Sequence, residues 1–250
     1  FSPEYASATA WSERLDIGIS WYQHELKGAI QALDAQTQLN LCVQTLSETF
    51  CNGIGRNQLG AIDQFNNVLT NIGSIETSGL DFDIGWLIPQ TEFGQFNVRL
   101  RATLVEDYTV VDANGQQQPK TVGIEVNDSA IPEWSGNLAL NWQHEAWQAS
   151  WTMRYTSDLE ESCGDAADFA VCRNNPSTGQ NRLGSTTYHD AQISWNTDAI
   201  LSGMQLSFGV NNLFGKEPPI CLSCSLNGYD PSTYDMPGSR YWYLRASFSI

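Results

Sequence analysis

The sequence predicts an all-β protein: a portion of a transmembrane antiparallel β-barrel, with about eight strands and long extracellular loops. Three observations predict this fold. Eight stretches alternate apolar and polar residues, the connections between them alternate between short and long, and eight of the nine tryptophans lie on the apolar faces. Alternation with period two over about 9–11 residues is what a tilted strand needs to cross a bilayer with lipid on one side and a wet lumen on the other.

The apolar face of every stretch is free of Asp, Glu, Lys and Arg. In chain order these faces are Leu15, Ile17, Ile19 and Trp21; Leu80, Phe82, Ile84, Trp86 and Ile88; Phe96, Val98, Leu100, Ala102 and Leu104; Trp134, Gly136, Leu138, Leu140 and Trp142; Trp147, Ala149, Trp151, Met153 and Tyr155; Ala191, Ile193 and Trp195; Met204, Leu206, Phe208 and Val210; Trp242, Leu244, Ala246, Phe248 and Ile250. The intervening positions carry the charges, for example Asp83, Arg99 and Arg154. Because a basic residue facing lipid at the midplane costs roughly 2–4 kcal/mol, a membrane barrel keeps charges off that face.

The connections and the tryptophans favour a membrane barrel over a soluble β-sandwich, which also alternates but turns its apolar face inward. The connections at residues 89–94, 144–146 and 198–203 are short, whereas the others run to twenty residues or more. Outer-membrane barrels have short periplasmic turns and long outer loops. Tryptophans gather beside the short turns, as in an interfacial girdle: Trp86, Trp142, Trp147 and Trp195.

Composition and residue patterns exclude several functions. The net charge of −16 argues against nucleic-acid binding, which needs a basic face. Most of the acid falls in the connections, which favours loop solubility over attraction of a cationic or metal-bearing ligand. The three histidines, His24, His144 and His189, are isolated from one another, and no Ser–His–Asp arrangement or phosphate-binding glycine loop occurs. We therefore predict no enzyme activity, no cofactor and no metal site.

The six cysteines form three local pairs in the long connections: Cys42 with Cys51, Cys163 with Cys172, and Cys221 with Cys224. This pattern predicts loop disulfides formed in an oxidising periplasm. The rival interpretation is metal binding, since Cys221 and Cys224 have zinc-like spacing, but no second such pair accompanies them. In the first long connection, Asp34 is expected to cap a helix bearing Leu39, Cys42, Val43 and Leu46 that closes near Gly53.

Eight strands can close into a small barrel, but such barrels fill their interiors with side chains and carry less loop. An unclosed eight-stranded sheet would leave two unsatisfied edges in lipid. The chain also starts at Phe1 without a signal sequence. The expectation is that residues 1–250 are the C-terminal part of a longer barrel.

Three motifs resemble the C-terminal barrel of TonB-dependent outer-membrane receptors. Residues 71–82 contain Asn-x-Gly and then a small residue, Gly, an apolar residue and an acid, as in a descending strand of the family. Residues 209–216 contain Asn-Leu-Phe-Gly and resemble the penultimate strand, and residues 237–248 resemble the closing strand. The resemblance implies that the chain supplies the last eight of 22 strands, with the plug domain and the N-terminal strands absent from it.

The resemblance also implies partners and a location. They are outer-membrane lipid of a Gram-negative bacterium, the rest of the barrel and its plug, TonB through the missing N-terminal part, and a small-molecule or metal-chelate ligand. Ligand capture belongs to the outer loops, where variable chemistry sits on a rigid scaffold. The candidate ligand-binding residues are Phe169, Arg173, Tyr229 and Tyr234. The competing interpretation is that they only pack their own loops.

Three functional classes follow. The favoured one is a ligand-gated active-uptake receptor for a ferric siderophore or a similar scarce solute, energised through TonB. The second is a small passive barrel, either a porin or an adhesin-like surface protein. The third is a secreted soluble β-domain that binds glycans.

Overall fold

A computed structural model describes residues 12–28, 30–32, 38–39, 42–43, 46–66, 69–71, 74–111, 122–125, 130–161, 181–199, 202–224 and 228–248. Fifteen strands occur in these ranges: β1 (Arg14–Lys27), β2 (Ile30–Ala32), β3 (Ile54–Arg56), β4 (Ile62–Phe65), β5 (Leu69–Asn71), β6 (Ser74–Leu87), β7 (Gln95–Val111), β8 (Ile124–Glu125), β9 (Trp134–His144), β10 (Trp147–Thr156), β11 (Leu159–Glu161), β12 (Asn181–Leu183), β13 (Thr186–Thr197), β14 (Met204–Asn211) and β15 (Tyr241–Phe248). One helical turn spans Glu48–Cys51.

The eight long strands form one sheet in the order β1-β6-β7-β9-β10-β13-β14-β15. Each strand is thus a neighbour of the next long strand along the chain, and the pairs from β7 to β15 are antiparallel. These are the eight strands that the alternation predicts. Strand β7 continues past its apolar stretch, because main-chain pairing does not itself require alternation. The all-β antiparallel fold class is confirmed.

The register aligns residues of one kind in rows across the sheet. One apolar row crosses six strands: Phe96, Trp142, Ala149, Ile193, Phe208 and Leu244. The adjacent row is polar except at its glycine: Asn97, Asn141, Ser150, Gln192, Gly209 and Tyr243. Because side chains alternate between the two faces, a slip of one residue in the strand pairing would exchange the two rows. This register therefore fixes which face of the sheet is apolar.

The apolar face is largely uncovered. Leu140 is 36% exposed, Phe208 is 47% exposed and Trp242 is 53% exposed. The same face exposes Ile17, Ile19 and Trp21 on β1. The core of a β-sandwich would bury such residues against a second sheet. The uncovered face therefore favours lipid as its solvent.

The short turns carry aromatic contacts. The indole Nε1 of Trp142 donates a hydrogen bond to the Phe93 carbonyl in the neighbouring turn, at 2.7 Å. Trp147 stacks on Trp195 with ring centroids 5.9 Å apart. Glu145 starts the tightest turn with a positive φ of 47°. Three of the four tryptophans predicted to lie beside these turns, Trp142, Trp147 and Trp195, therefore form aromatic or hydrogen-bond contacts there, as in an interfacial girdle.

Gly209 leaves space for a tyrosine that reaches across two strands. The Tyr243 ring lies against Gly209, and its hydroxyl donates a hydrogen bond of 2.8 Å to Oε1 of Gln192. Register places Gly209 between these two residues. An aromatic ring over a glycine of a paired strand restores the contacts that the missing side chain would make.

We expect Gly209→Val to destabilise the sheet by about 1–2 kcal/mol, because a Cβ at this position would collide with the Tyr243 ring. Urea unfolding of the detergent-solubilised protein measures the change. Gly184→Val is the matched control, since nothing lies within 4 Å of a Cβ built there. Equal losses of stability in the two variants would contradict this packing.

The described residues fall into two compact units, one within Phe1–Tyr22, Ser78–Glu106 and Thr121–Ile250, the other within Gln23–Thr77 and Asp107–Lys120. In the second unit, β2 pairs with β5 and β3 pairs with β4. Its buried cluster is Phe50 packed by Cys42, Ile75 and Val110. Among the described residues, no helix has the length and apolar character needed to cross a membrane.

The helix predicted in the first long connection differs from the observed one. Leu46 has a φ of 52°, and its N–H donates to the Cys42 carbonyl, so a helical turn ends there. A separate turn, Glu48–Cys51, follows, and the Cys51 N–H donates to the Ser47 carbonyl at 3.0 Å. The prediction of one helix closing near Gly53 is therefore wrong, because a left-handed residue cannot continue a right-handed helix. Asp34, the predicted cap, lies outside the described residues.

Cys42 and Cys51 form a disulfide, as the sequence predicts. We expect alkylation without reductant to leave both residues unlabelled, because neither carries a thiolate. Peptide mass spectrometry after maleimide treatment measures this, with a dithiothreitol-treated sample as the positive control. Labelling of either cysteine before reduction would contradict the bridge.

Candidate functional site

A buried cluster lies among the long connections. Three short strands form a sheet in the order β12-β11-β8, with β11 antiparallel to β12 and parallel to β8. The cluster that we call the loop cluster consists of Leu159, Leu183, Tyr188, Cys221, Cys224, Tyr229 and Tyr234. It gives these connections a packed core of their own, so they can present a defined surface rather than a mobile one.

Glu161 ties the final long connection to this small sheet. Its carboxylate is fully buried and accepts hydrogen bonds from Nδ2 of Asn181 and from the Ser223 N–H. Asn181 donates a further bond to the Ile220 carbonyl at 3.0 Å. A buried carboxylate is tolerated only when donors satisfy it, so these bonds hold the segment around the Cys221–Cys224 disulfide in place.

Two more buried acids, Glu125 and Asp230, lie beside Tyr234. Asp230 Oδ1 accepts the Ser232 N–H at 2.7 Å. Burial acts to raise the pKa of Asp230, but hydrogen bonds from Thr233 and Ser232, together with one shared with Glu125, leave it below its ordinary value. Burial, followed by the charges of Glu125 and Asp230, raises the pKa of Tyr234. Tyr234 is therefore a neutral phenol at physiological pH.

Arg154 joins the sheet wall to the final long connection. Its guanidinium makes a bidentate contact with Asp235, at 3.0 and 2.7 Å, and a third bond of 3.2 Å to Asp190. It also lies over the Tyr188 ring, 5.0 Å from the centroid. Fork-shaped contacts of this kind are both strong and geometrically specific. We call Arg154, Asp190 and Asp235 the Arg154 network.

A more exposed charge group lies on the polar face of β6 and β7. Asp83 accepts bonds from Arg99 at 3.2 Å and from Arg101 at 3.0 Å. Asp81 accepts instead from the Thr103 hydroxyl at 2.7 Å. Asp83 thus pairs with opposite charges on the neighbouring strand, while Asp81 takes a neutral partner. The side chains are about half exposed, and such pairs contribute on the order of 0–1 kcal/mol.

Asn212 shows the physical basis of the Asn-Leu-Phe-Gly motif. Its backbone is left-handed, with a φ of 51°, and its side chain is buried. The side-chain amide accepts the Lys216 N–H and donates to the Lys216 carbonyl and to the Ser239 hydroxyl. Its own N–H donates to Asp190. One asparagine therefore ends β14, closes a turn and connects to the Arg154 network.

The structure locates two of the four candidate ligand-binding residues. Tyr229 and Tyr234 are buried in the loop cluster, which also contains residues of β11, β12 and β13. Phe169 and Arg173 lie outside the described residues, as does the Cys163–Cys172 pair. Cys221 and Cys224 are bonded to each other. Ligand contact by the four candidates stays a prediction.

Sequence reasoning missed Glu125, Glu161, Asp230 and Asp235 as structural groups of the outer connections. Glu125 and Asp230 influence each other's ionisation although they are far apart in the chain, and no motif joins them. A carboxylate oxygen of Glu125 also lies within 4.8 Å of the sulfurs of Cys221 and Cys224. The disulfide removes these sulfurs as thiolate ligands.

A family model described as "TonB dependent receptor-like, beta-barrel" matches residues 6–213. Comparison with curated proteins gave no match. The match covers most of the chain and includes seven of the eight long strands in full; the eighth, β15, follows it.

Solved structures with the same fold include one receptor and two transporters. The ferric enterobactin receptor PfeA of Pseudomonas aeruginosa has a TM-score of 0.54 at 16% identity, over 94% of this chain and 29% of that chain. The copper transporter OprC has a TM-score of 0.53 at 13% sequence identity, over 94% of this chain and 28% of that chain. The ferric citrate transporter FecA has a TM-score of 0.50 at 12% sequence identity, over 94% of this chain and 29% of that chain. The chain spans less than a third of each, and at these identities the likeness concerns the fold alone.

Proposed function

Because the chain belongs to the TonB-dependent receptor family, whose β-barrel it matches, we propose that it forms the C-terminal wall of a ligand-gated active-uptake receptor in the outer membrane of a Gram-negative bacterium. The observation that carries the proposal is the pairing of an uncovered apolar row with an adjacent polar row across six strands. An apolar face solvated by lipid and a polar face lining a lumen account for both rows.

The chain supplies the last eight of 22 strands in this proposal. Strands β1 and β15 occupy the two edges of the eight-stranded sheet. An unpaired edge in hydrocarbon leaves its N–H and C=O groups unsatisfied at several kcal/mol each. The remaining strands of the same receptor would pair with both edges and close the barrel.

The polar face would contact a plug domain inside the barrel. Its half-exposed charges, Asp83, Arg99 and Arg101, are available for polar contacts with a plug that must later move. Exposed ion pairs of this strength exchange partners at little cost. Coupling to TonB would act on the plug and its N-terminal segment, which lie outside this chain.

Ligand capture belongs to the outer connections. Phe169 and Arg173 are the first positions to test for direct contact. Tyr229 and Tyr234 are buried, so we expect their substitution to act through the shape of the loop cluster. The proposed ligand is a scarce solute such as a ferric siderophore; PfeA, FecA and OprC are named for ferric enterobactin, ferric citrate and copper.

Uptake measurements test the proposal. The gene for the whole receptor is deleted, and uptake of radioactive iron is measured with a catecholate, a hydroxamate and a citrate chelate, with and without a protonophore. We expect the deletion to abolish uptake of one chelate, and the protonophore to abolish it equally in the parent strain. Uptake that survives the protonophore would identify a passive barrel. Unchanged uptake of all three chelates would overturn the ferric-siderophore assignment.

A further inference from the structure

An apolar cleft crosses the uncovered face of the sheet between β9 and β15. Its volume is about 470 Å³, and two of its lining residues, Ala149 and Ala191, are small. The register pairs Ala149 with Trp142 and Ala191 with Trp151, so each alanine has a tryptophan beside it on the neighbouring strand. Between lipid tails and an apolar surface the hydrophobic effect is lost, so a groove of this kind selects one tail through van der Waals packing.

Ring contacts lead from this cleft to the end of the sheet that carries the long connections. Trp151, which lines the cleft, stacks on His189 with ring centroids 5.5 Å apart. His189 meets Phe214 in an edge contact at 5.0 Å. Phe214 lies just after β14 and is 67% exposed. Exposed aromatic rings at the end of lipid-facing strands are typical of a membrane interface.

Two basic residues border these rings. A Cβ built at Gly215 would lie 2.6 Å from Nη2 of Arg240, so the guanidinium lies against the residue that follows Phe214. Lys216 comes next in the chain, and Asn212 holds its backbone by accepting the N–H at 2.7 Å and donating to the carbonyl at 2.9 Å. Arg240 and Lys216 are both exposed. We call them the rim cations.

The rim cations are available to an anion. In the ranges that the structure describes, neither forms an ion pair, whereas six other basic residues do. The adjacent acid, Glu217, accepts the Gly238 N–H at 3.1 and 3.3 Å instead. Trp242 lines the cleft and comes two residues after Arg240, which is about 7 Å of extended chain. One lipid molecule can therefore reach both the rim cations and the cleft.

We propose that the rim cations and the cleft form one binding site for a phosphorylated, acylated glycolipid of the outer leaflet. A phosphate group would bind Arg240 and Lys216, and one acyl chain would lie in the cleft. Arginine offers a planar fork that matches phosphate, and lysine adds a point charge. A free phosphate would leave the cleft empty, and an uncharged lipid would leave the cations without a partner.

The position of the site selects the leaflet. This inference rests on the proposed function, in which the apolar face contacts lipid and the long connections lie outside the cell. The rim cations lie at the end with the long connections, so the lipid that reaches them belongs to the outer leaflet. Basic residues at a membrane surface attract anionic lipids by about a factor of five each.

Native mass spectrometry tests the site directly. The whole receptor is purified, stripped of lipid by detergent exchange and titrated separately with diphosphoryl lipid A, phosphatidylglycerol and phosphatidylethanolamine. We expect one molecule of lipid A to bind at least about tenfold more tightly than phosphatidylethanolamine. Equal binding of these two would overturn the proposal. Equal binding of lipid A and phosphatidylglycerol would overturn the assignment to a glycolipid.

Charge variants locate the headgroup. We expect Arg240→Gln and Lys216→Gln each to weaken lipid A binding by about fivefold. Arg245→Gln is the matched control, because Arg245 lies on the same terminal strand but pairs with Ser207 on the polar face. We expect its titration to equal that of the wild type. Wild-type affinity in both Arg240→Gln and Lys216→Gln would overturn the headgroup site.

A filled cleft locates the acyl chain. Ala149→Leu places a larger side chain in the cleft and is expected to weaken lipid A binding while the rim cations remain. Ala246→Leu is the control, because Ala246 pairs with Leu206 on the same apolar face but does not line the cleft. Equal affinities in these two variants would overturn the role of the cleft.

Folding is checked by heat-modifiable gel mobility before each titration. If Arg240→Gln fails to fold, Lys216→Gln carries the test of the headgroup, since its exposed side chain forms no ion pair in the described ranges. None of these readouts involves uptake. A receptor that binds lipid A but transports no chelate would contradict the proposed function alone, and a transporting receptor without this lipid preference would contradict the lipid site alone.

Discussion

Leu140→Arg is expected to prevent assembly of the barrel, whereas Asn141→Arg is expected to be tolerated. Leu140 is paired with Val98 and Trp151 on the uncovered apolar face. Asn141 is its neighbour on the polar face and is paired with Asn97 and Ser150. An arginine facing the lipid midplane costs roughly 2–4 kcal/mol, while an arginine in a wet lumen keeps its hydration.

Gel mobility measures the outcome, because a folded barrel in an unheated sample migrates differently from the heat-denatured protein. The expected result is a folded, heat-modifiable band for the wild type and for Asn141→Arg, and its loss for Leu140→Arg. The two variants differ by one position on one strand, so protein size and added charge are matched. Equal behaviour of the two would exclude lipid as the solvent of this face.

Arg154→Met is expected to release the final long connection from the wall of the sheet. The substitution leaves Asp190 and Asp235 facing each other without the guanidinium that bridges them. Breaking a fully buried charge pair costs about 3–5 kcal/mol, and the side chain of Arg154 is 36% exposed, so we expect about 2–3 kcal/mol. Because Asp190 also holds Asn212, the turn after β14 should loosen too.

Hydrogen exchange of the amides in residues 228–240 measures this release. We expect faster exchange there in Arg154→Met and unchanged exchange in the short turns. Arg182→Met is the control, because the Arg182–Asp158 pair is exposed and such pairs contribute about 0–1 kcal/mol. Exchange that is no faster in Arg154→Met than in Arg182→Met would show that the Arg154 network does not hold this connection.

Much of the sheet could be predicted from the sequence. Each long strand can be recognised by its alternation of apolar and polar residues. Lipid solvation makes this alternation strict, since one charge on the lipid-facing side is costly. The observed register keeps Leu140 with Val98 and Trp151, and keeps Asn141 with Asn97 and Ser150. The Cys42–Cys51 bridge was predictable because its partners are close in the chain.

The outer connections could not be predicted in the same way. Nothing periodic identifies the three-stranded sheet of β8, β11 and β12, whose strands are two or three residues long. The pairing of Arg154 with Asp235 spans 81 residues. The break at Leu46 also had no sequence signal, because a leucine with positive φ is uncommon.

By itself, the sequence determined which residues form strands, which face of each strand is apolar and which family the barrel resembles. These properties are local: they follow from a period of two and from the cost of placing charge in hydrocarbon. Only the tertiary structure decided which acids influence each other, namely Glu125 with Asp230, and Asp190 with Asp235 through Arg154. Contacts between distant loops depend on how the strands bring their ends together, and residues so far apart in the chain leave no spacing from which to infer them.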